Sequence, residues 1–238
     1  MVAIGAPDPV GKPHELPAGW QVVMAAKDHH LFKRAEALEY ETFVTEGFCM
    51  AEPHHRVVSY DRWRDQSTFH VALEGDDVKG VIRCIIGTFE DLPIGHFKIT
   101  DDVPPDPLCE YASLAIGASA RSFGVAEALY RSVWQHALRE STSGLVAIAE
   151  EWLLDLLRDH YGFGFHAVGP AEWYMGGDCL PIVASHAEIV ERLPSERPGL
   201  LRYLLHRLHE SGWQTLSDQK ISTTTVGIPH PGQDQSTS

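Results

Sequence analysis

Cys109-Glu-Tyr-Ala-Ser-Leu-Ala-Ile116, followed by Gly117-Ala-Ser-Ala120 and then Arg121-Ser-Phe-Gly-Val-Ala126, is the stretch on which the reading of this chain turns. The run 109–116 is mostly apolar and reads as a buried strand, interrupted by the carboxylate of Glu110. The small residues after it make a turn. Gly124 then opens a helix over 124–140, on which Val125, Leu129, Val133 and Ala137 recur every four residues as an inward face requires. Strand, small-residue loop and helix start together make an anion site, because the first helical N–H groups lack intrahelical acceptors and the helix dipole favours phosphate there. Gly124 permits close backbone approach, and Arg121 can add a charge-assisted contact.

Upstream, Leu31, Ala35, Leu38, Thr42 and Phe43 keep helical spacing, which predicts a helix over 28–46 with Asp28 as its N-cap and Gly47 as its stop. The β-branched runs 68–73 and 78–88, joined by Glu74-Gly-Asp-Asp77, predict a hairpin. The proline-rich segment 100–107 must be a loop. Downstream come a strand at 145–149, a helix at 152–160 and one or two strands within 162–185. Pro194 and Pro198 separate two short C-terminal helices, the second carrying Leu201, Leu204, Leu205 and Leu208 on one face. That face can pack on the core, meet a second copy or cover a tunnel. The order predicts a mixed α/β sheet with helices on both faces. Residues 1–18, with four prolines, form an extended or disordered arm, 19–194 the domain, 195–216 a helix packing on it, and 217–238 a disordered tail.

Composition narrows the partners. The 238 residues carry 19 Lys+Arg against 33 Asp+Glu, a formal charge of −14. That excess of acid argues against nucleic acid and anionic lipid. Cys49, Cys84, Cys109 and Cys179 form no Cys-x-x-Cys pair and read as small buried hydrophobes in a reducing compartment. No signal-peptide pattern or membrane-length apolar run is present, so a soluble cytoplasmic protein is expected. The pairs His29-His30 and His54-His55 lack ligand spacing, so no metal is expected.

The strand–loop–helix, followed by strand, helix and Tyr161-Gly-Phe-Gly-Phe-His-Ala-Val-Gly169, resembles the two central motifs of the GCN5-related N-acetyltransferase (GNAT) superfamily. The resemblance implies a mostly antiparallel central sheet whose strands splay to admit the pantetheine arm of an acyl thioester. It implies that the backbone of Leu114, Ala115 and Ile116 pairs with the pantetheine amides, and that Arg121, Ser122, Phe123, Gly124, Val125 and Ala126 hold phosphate.

Tyr40-x-x-Phe43, Asp65-x-x-x-x-His70, Gly80-x-x-Arg83, Phe97 and Glu110 occur in an order similar to the acyl-homoserine-lactone synthase and N-acyl amino-acid synthase branch. That likeness covers about 31–190. It implies no tightly bound cofactor, an acyl-CoA or acyl carrier protein donor, a small amine acceptor, and a monomer or homodimer. The branch carries Arg where Glu39 and Ser113 stand, and a Trp after the first helix, where this chain has Phe48 and Cys49. These departures argue against S-adenosylmethionine as the amine.

Amide formation from a thioester needs a neutral amine, a stabilised oxyanion and a proton for the departing thiolate. Glu110 is the expected base, with a buried ion pair to Arg83 as the alternative; Arg83 would then orient Glu110, or hold a substrate carboxylate. Tyr161 or His160 is the candidate acid, with a packing role as the alternative for either. Asp65, His70, Phe97, Ser113 and Glu150 are expected near substrate, although Glu150 and Glu151 equally suit a helix start. No cysteine sits where a ping-pong nucleophile would, so attack is direct. Rival readings are another reaction of an acyl thioester (hydrolysis, decarboxylation or O-acyl transfer) and a non-catalytic acyl-CoA-binding module. Whether Arg62, Arg64, Arg121, Arg131 and Arg139 gather at one entrance bears on carrier protein against free CoA.

Overall fold

The chain, described over residues 16–121, 124–196 and 198–205 in this computed structural model, begins with a strand that the sequence pattern does not announce. This is β1 (Trp20–Ala26); α1 (Phe32–Glu46), β2 (Ser67–Glu74), β3 (Asp77–Gly87) and β4 (Leu108–Ile116) follow. Then come α2 (Val125–Arg139), β5 (Gly144–Ala149), α3 (Glu151–Asp155), β6 (His166–Ala167), β7 (Glu172–Tyr174), β8 (Gly177–Ser185), α4 (His186–Glu196) and α5 (Pro198–Leu205). The sheet order is β1-β2-β3-β4-β5-β8-β6, with β7 pairing β8 off this path. Every pairing is antiparallel except β4 with β5.

Alternation along the strands sorts the core into two layers. Phe69, Val71, Val81 and Ala115 meet Phe32 and Ala35 of α1 on one face. Ala72, Ile82, Cys84, Cys109 and Tyr111 meet Val125, Leu129 and Val133 of α2 on the other. Leu200 and Leu204 of α5 join that second layer, and Gln135 Nε2 donates to the Leu204 carbonyl at 2.7 Å.

Two features of β4 make the cleft. Its pairing with β3 jumps from Cys84↔Tyr111 to Arg83↔Ser113, so Ala112 is an extra residue. The Tyr60 hydroxyl donates to the Ala112 carbonyl and pins this bulge. The parallel pairing with β5 ends at Tyr111↔Ala147, while β5 stays on β8 as far as Ala149↔Leu180. Past the bulge the two central strands separate, leaving one edge of β4 without a strand partner among the described residues.

Gly80 on β3 sets how closely α2 can approach. A Cβ there would lie 2.6 Å from Val125 Cγ1 and 3.5 Å from Leu129 Cδ1. Gly80→Ala should therefore displace the first turn of α2 and destabilise by about 1–3 kcal/mol, read as a lower urea midpoint at unchanged slope. An unshifted midpoint would show that the helix seat is slack.

Several expectations need correction. Asp28 does not cap α1, which begins after Leu31 with no side-chain cap; His29 Nδ1 instead accepts from the Leu31 N–H at 3.2 Å. The predicted helix over 152–160 is α-helical only through Asp155 and finishes as a π turn, Leu156–His160. The segment 162–185 holds three strands, and Pro194 lies within α4 instead of separating two helices. The arm before residue 16, Leu208 and the tail after 205 lie outside the described residues. Among the described residues, no helix is long and apolar enough to cross a membrane.

Candidate functional site

The gap between β4 and β5 holds a pocket lined from both faces of the sheet. Its walls are Ala112, Ser113 and Leu114 of β4 with Ala147, Ile148 and Ala149 of β5. Phe43, Phe48, Tyr60, Tyr174 and Met175 close the α1 side, and Ile82, Tyr111, Tyr130, Leu153 and Leu157 the α2 side. Glu150, Trp152 and Cys179 complete the lining. The surface is apolar and aromatic with few polar groups, the usual character of a small-molecule site.

Under the Ser113 wall lies a buried charge pair. Arg83 donates from Nε and Nη2 to the two Glu39 oxygens at 2.9 and 2.6 Å, and from Nη1 to Ser67 Oγ at 2.9 Å. The Ser113 hydroxyl also donates to Glu39. The guanidinium sits between the faces of Phe69 (4.3 Å) and Tyr60 (5.0 Å). Burial would lower the Arg83 pKa, but the Glu39 charge and hydrogen bonds prevail and hold it above its ordinary value. The alternative of an Arg83–Glu110 pair is therefore not what forms: Arg83 pairs with Glu39 and does not line the pocket.

Glu110 is fully buried on β4, beside the pocket but not in its lining. Oε2 accepts from the Ile94 N–H at 3.0 Å, whereas Oε1 has no partner among the described residues. Burial pushes its pKa up to about 8, against the Ile94 hydrogen bond. Tyr60 and Tyr174, which do line the pocket, are close enough for its charge to oppose their ionisation. The Phe97 ring packs 5.7 Å from that of Tyr174, one layer behind the pocket.

On the other face, Tyr161 stacks on Phe163 and meets the Tyr130 ring edge-on at 5.5 Å. Its hydroxyl is buried with no partner among the described residues, and burial followed by the Glu127 charge pushes its pKa far up. His160 is half-buried at the end of the π turn, with its ring 5.1 Å from Tyr161. Neither lines the pocket.

At the helix start, Gly124 is left-handed at φ 69° and turns the chain into α2. Val125 and Ala126 bury their side chains in the core, so only their backbone can serve an anion. Arg121 is committed elsewhere: Nη2 donates to Glu46 Oε1 at 2.7 Å and Nε to the Ile116 carbonyl at 3.3 Å. Ser122 and Phe123 lie outside the described residues. Leu114, Ala115 and Ile116 pair with β3 on one side only.

Glu150 precedes α3 as the cap residue, lines the pocket, and accepts from Trp152 Nε1 at 2.7 Å. Ser113 lines the pocket as expected. Asp65 does not reach it, being exposed on the surface and paired with Lys27. His70 faces away, under α2, with Nδ1 2.7 Å from Ser132 Oγ. Sequence reasoning missed Tyr60, Tyr174 and the part played by Glu39. A signal existed for Glu39, since it follows Ala35 and precedes Phe43 at four-residue steps on the inward face of α1.

No protein-family model and no curated protein matches the chain. Among solved structures it is similar to a CoA-dependent acyl-homoserine lactone synthase, BjaI, with SAM and isopentyl-CoA, at 18% identity and TM-score 0.59, covering 84% of this chain and 100% of that one. A second CoA-dependent acyl-homoserine lactone synthase, MesI, gives 15% identity and TM-score 0.57 over 77% of this chain and 95% of that one. FeeM, an N-acyl amino acid synthase from uncultured soil microbes, gives 16% and 0.51 over 76% and 94%. The chain has a GNAT-like fold, a mixed and mostly antiparallel sheet with helices on both faces.

Proposed function

We propose that this protein is an N-acyltransferase that moves an acyl group from a CoA thioester to a small amine. The observation that carries the reading is the parting of β4 and β5 beyond Tyr111, with an apolar pocket in the gap. A free strand edge at 112–116 offers amides and carbonyls to a pantetheine arm, as a further strand would. The N-terminus of α2 suits the phosphates. The relatives in fold act on acyl groups, which supports the same donor here.

In the proposed reaction the neutral amine nitrogen attacks the thioester carbon, and the C–S bond breaks as the amide C–N bond forms. Glu110 accepts the ammonium proton directly or through water. A carboxylate whose pKa is about 8 is well matched to that task near neutral pH. Tyr161, which packs against the lining residue Tyr130 and whose hydroxyl has no other partner among the described residues, is the proposed acid for the departing sulfur and must turn toward the pocket to serve. Ser113 and Glu150 border the space left for substrate.

Free acyl-CoA is favoured over carrier protein because the arginines do not gather. Arg64 pairs with Glu36, Arg121 with Glu46, Arg62 lies over Trp63, Arg131 over Tyr203, and Arg139 ends α2 at its far end. An acidic carrier protein would find no concentrated basic patch among these five residues. Glu39 and Ser113 replace the arginines of the lactone synthases, so an amino acid or another small amine is proposed in place of S-adenosylmethionine.

Incubation with acyl-CoA, acyl carrier protein thioesters and an amine panel tests this. Thiol release that requires an amine, with the amide found by mass spectrometry, is expected. Release without amide would make the protein a hydrolase, and thioester binding without release would make it a binding module; either result contradicts the proposal.

A further inference from the structure

Beneath α2, on the side of the sheet away from Glu110, three adjacent strands each direct one metal-binding side chain toward a fourth on the helix. His70 comes from β2, Cys84 from β3, Cys109 from β4 and His136 from α2. All four are buried, His136 the least so at 8% exposure. His70 Nε2 lies 3.2 Å from His136 Nδ1, Cys84 Sγ lies 3.2 Å from Cys109 Sγ, and Cys84 Sγ lies 4.0 Å from His136 Nδ1. The ligand atoms of His70, Cys84 and His136 all fall within 4.8 Å of one another.

We propose that His70, Cys84, Cys109 and His136 form a structural site for one zinc ion. Tetrahedral zinc with ordinary bond lengths separates two nitrogens by roughly 3.3 Å, two sulfurs by roughly 3.8 Å, and nitrogen from sulfur by roughly 3.6 Å. The two nitrogens stand at that spacing, the two sulfurs are closer together and Cys84 Sγ is slightly farther from His136 Nδ1. Cys109 lies outside the group of three whose ligand atoms fall within 4.8 Å, so its sulfur must turn toward the histidines to become the fourth ligand. The outer nitrogen of one ring is hydrogen-bonded, and that of the other has a carboxylate nearby, beyond hydrogen-bond distance. Ser132 Oγ is 2.7 Å from His70 Nδ1, and Glu140 Oε1 is 3.7 Å from His136 Nε2, four residues along the same helix. Each histidine thus has a polar group behind it and turns its other nitrogen inward, the arrangement that orients imidazole ligands to a metal.

Two nitrogens and two sulfurs suit zinc over calcium or magnesium, which prefer oxygen. Burial on all sides makes the site structural, with no open position for substrate. Binding releases two thiol protons, and the two thiolates then neutralise the ion. The ion would tie α2 to β2, β3 and β4, fixing the helix that lends Tyr130 to the pocket lining. This inference does not depend on the proposed acyl transfer.

The test uses the full chain purified from zinc-supplemented cells without chelator or affinity metal. Elemental analysis should give about one zinc per chain, and cobalt substitution should give the visible bands of a tetrahedral ion with thiolate charge transfer. Cys84→Ala/Cys109→Ala and His136→Gln should each lower zinc content at least about tenfold. Removing zinc with a chelator should lower the melting temperature of the wild type. The wild-type measurements need no variant to fold. Metal-free protein that takes up no cobalt, a Cys84–Cys109 disulfide in its place, or zinc retained by the double variant would each overturn the proposal.

Discussion

Glu110→Gln should abolish turnover and yet make the folded chain more stable in mild alkali. Loss of a general base is expected to lower kcat by about 10²–10⁴. The stability gain follows from the same burial that raises the Glu110 pKa from 4.5 to about 8. Between those values the folded chain keeps a proton that the unfolded chain has lost. Wild-type stability should then fall as pH rises through this window, by up to about 1.4 kcal/mol per unit, and level off above pH 8. Glutamine keeps the shape, can still accept from the Ile94 N–H, and carries no charge, so the variant should lack the decline. Urea midpoints at pH 5 and pH 9 for both proteins measure it. Wild-type rate should climb with pH to a plateau above 8, as Glu110 ionises. A Gln variant that keeps full activity would remove Glu110 from the mechanism.

The Glu39–Arg83 pair should show the opposite asymmetry between single and double variants. Glu39→Ala leaves the Arg83 guanidinium, 1% exposed between Phe69 and Tyr60, without its counterion. The expected cost is about 3–5 kcal/mol, because an uncompensated buried charge is worse than a missing pair. Glu39→Leu combined with Arg83→Met removes both charges at similar volume and should cost much less. Chemical denaturation of the two singles and the double gives the coupling energy. Additive effects would mean that the two groups do not rely on each other.

This pair also marks where sequence reasoning ran out. The β2–β3 hairpin was legible from its β-branched runs and turn residues, β4 from its apolar run, and α2 from apolar residues recurring every four. Alternation along β3 puts Arg83 on the same face as Val81 and Ile85, and the helical period puts Glu39 inward on α1. Neither pattern says which of two buried carboxylates, 39 or 110, the guanidinium meets, since that depends on how α1 lies across the sheet. Glu39 and Ser113, read separately as departures from the lactone-synthase pattern, are hydrogen-bonded to each other and so form one coupled feature.

Other misses have similar causes. β1 is an edge strand, mostly half-exposed, so its alternation is weak. The Ala112 bulge that opens the cleft depends on a hydroxyl 52 residues away, on Tyr60. The clustering of His70 with His136 is invisible to local spacing because the two are 66 residues apart.

The most direct measurement of the central claim is a crystal structure with a hydrolytically stable acyl-CoA thioether. The pantetheine arm should lie along the free edge of β4 at 112–116, the phosphates at the first turn of α2, and the acyl chain in the pocket between β4 and β5. A ligand bound elsewhere, or no binding by calorimetry at saturating thioether, would contradict it.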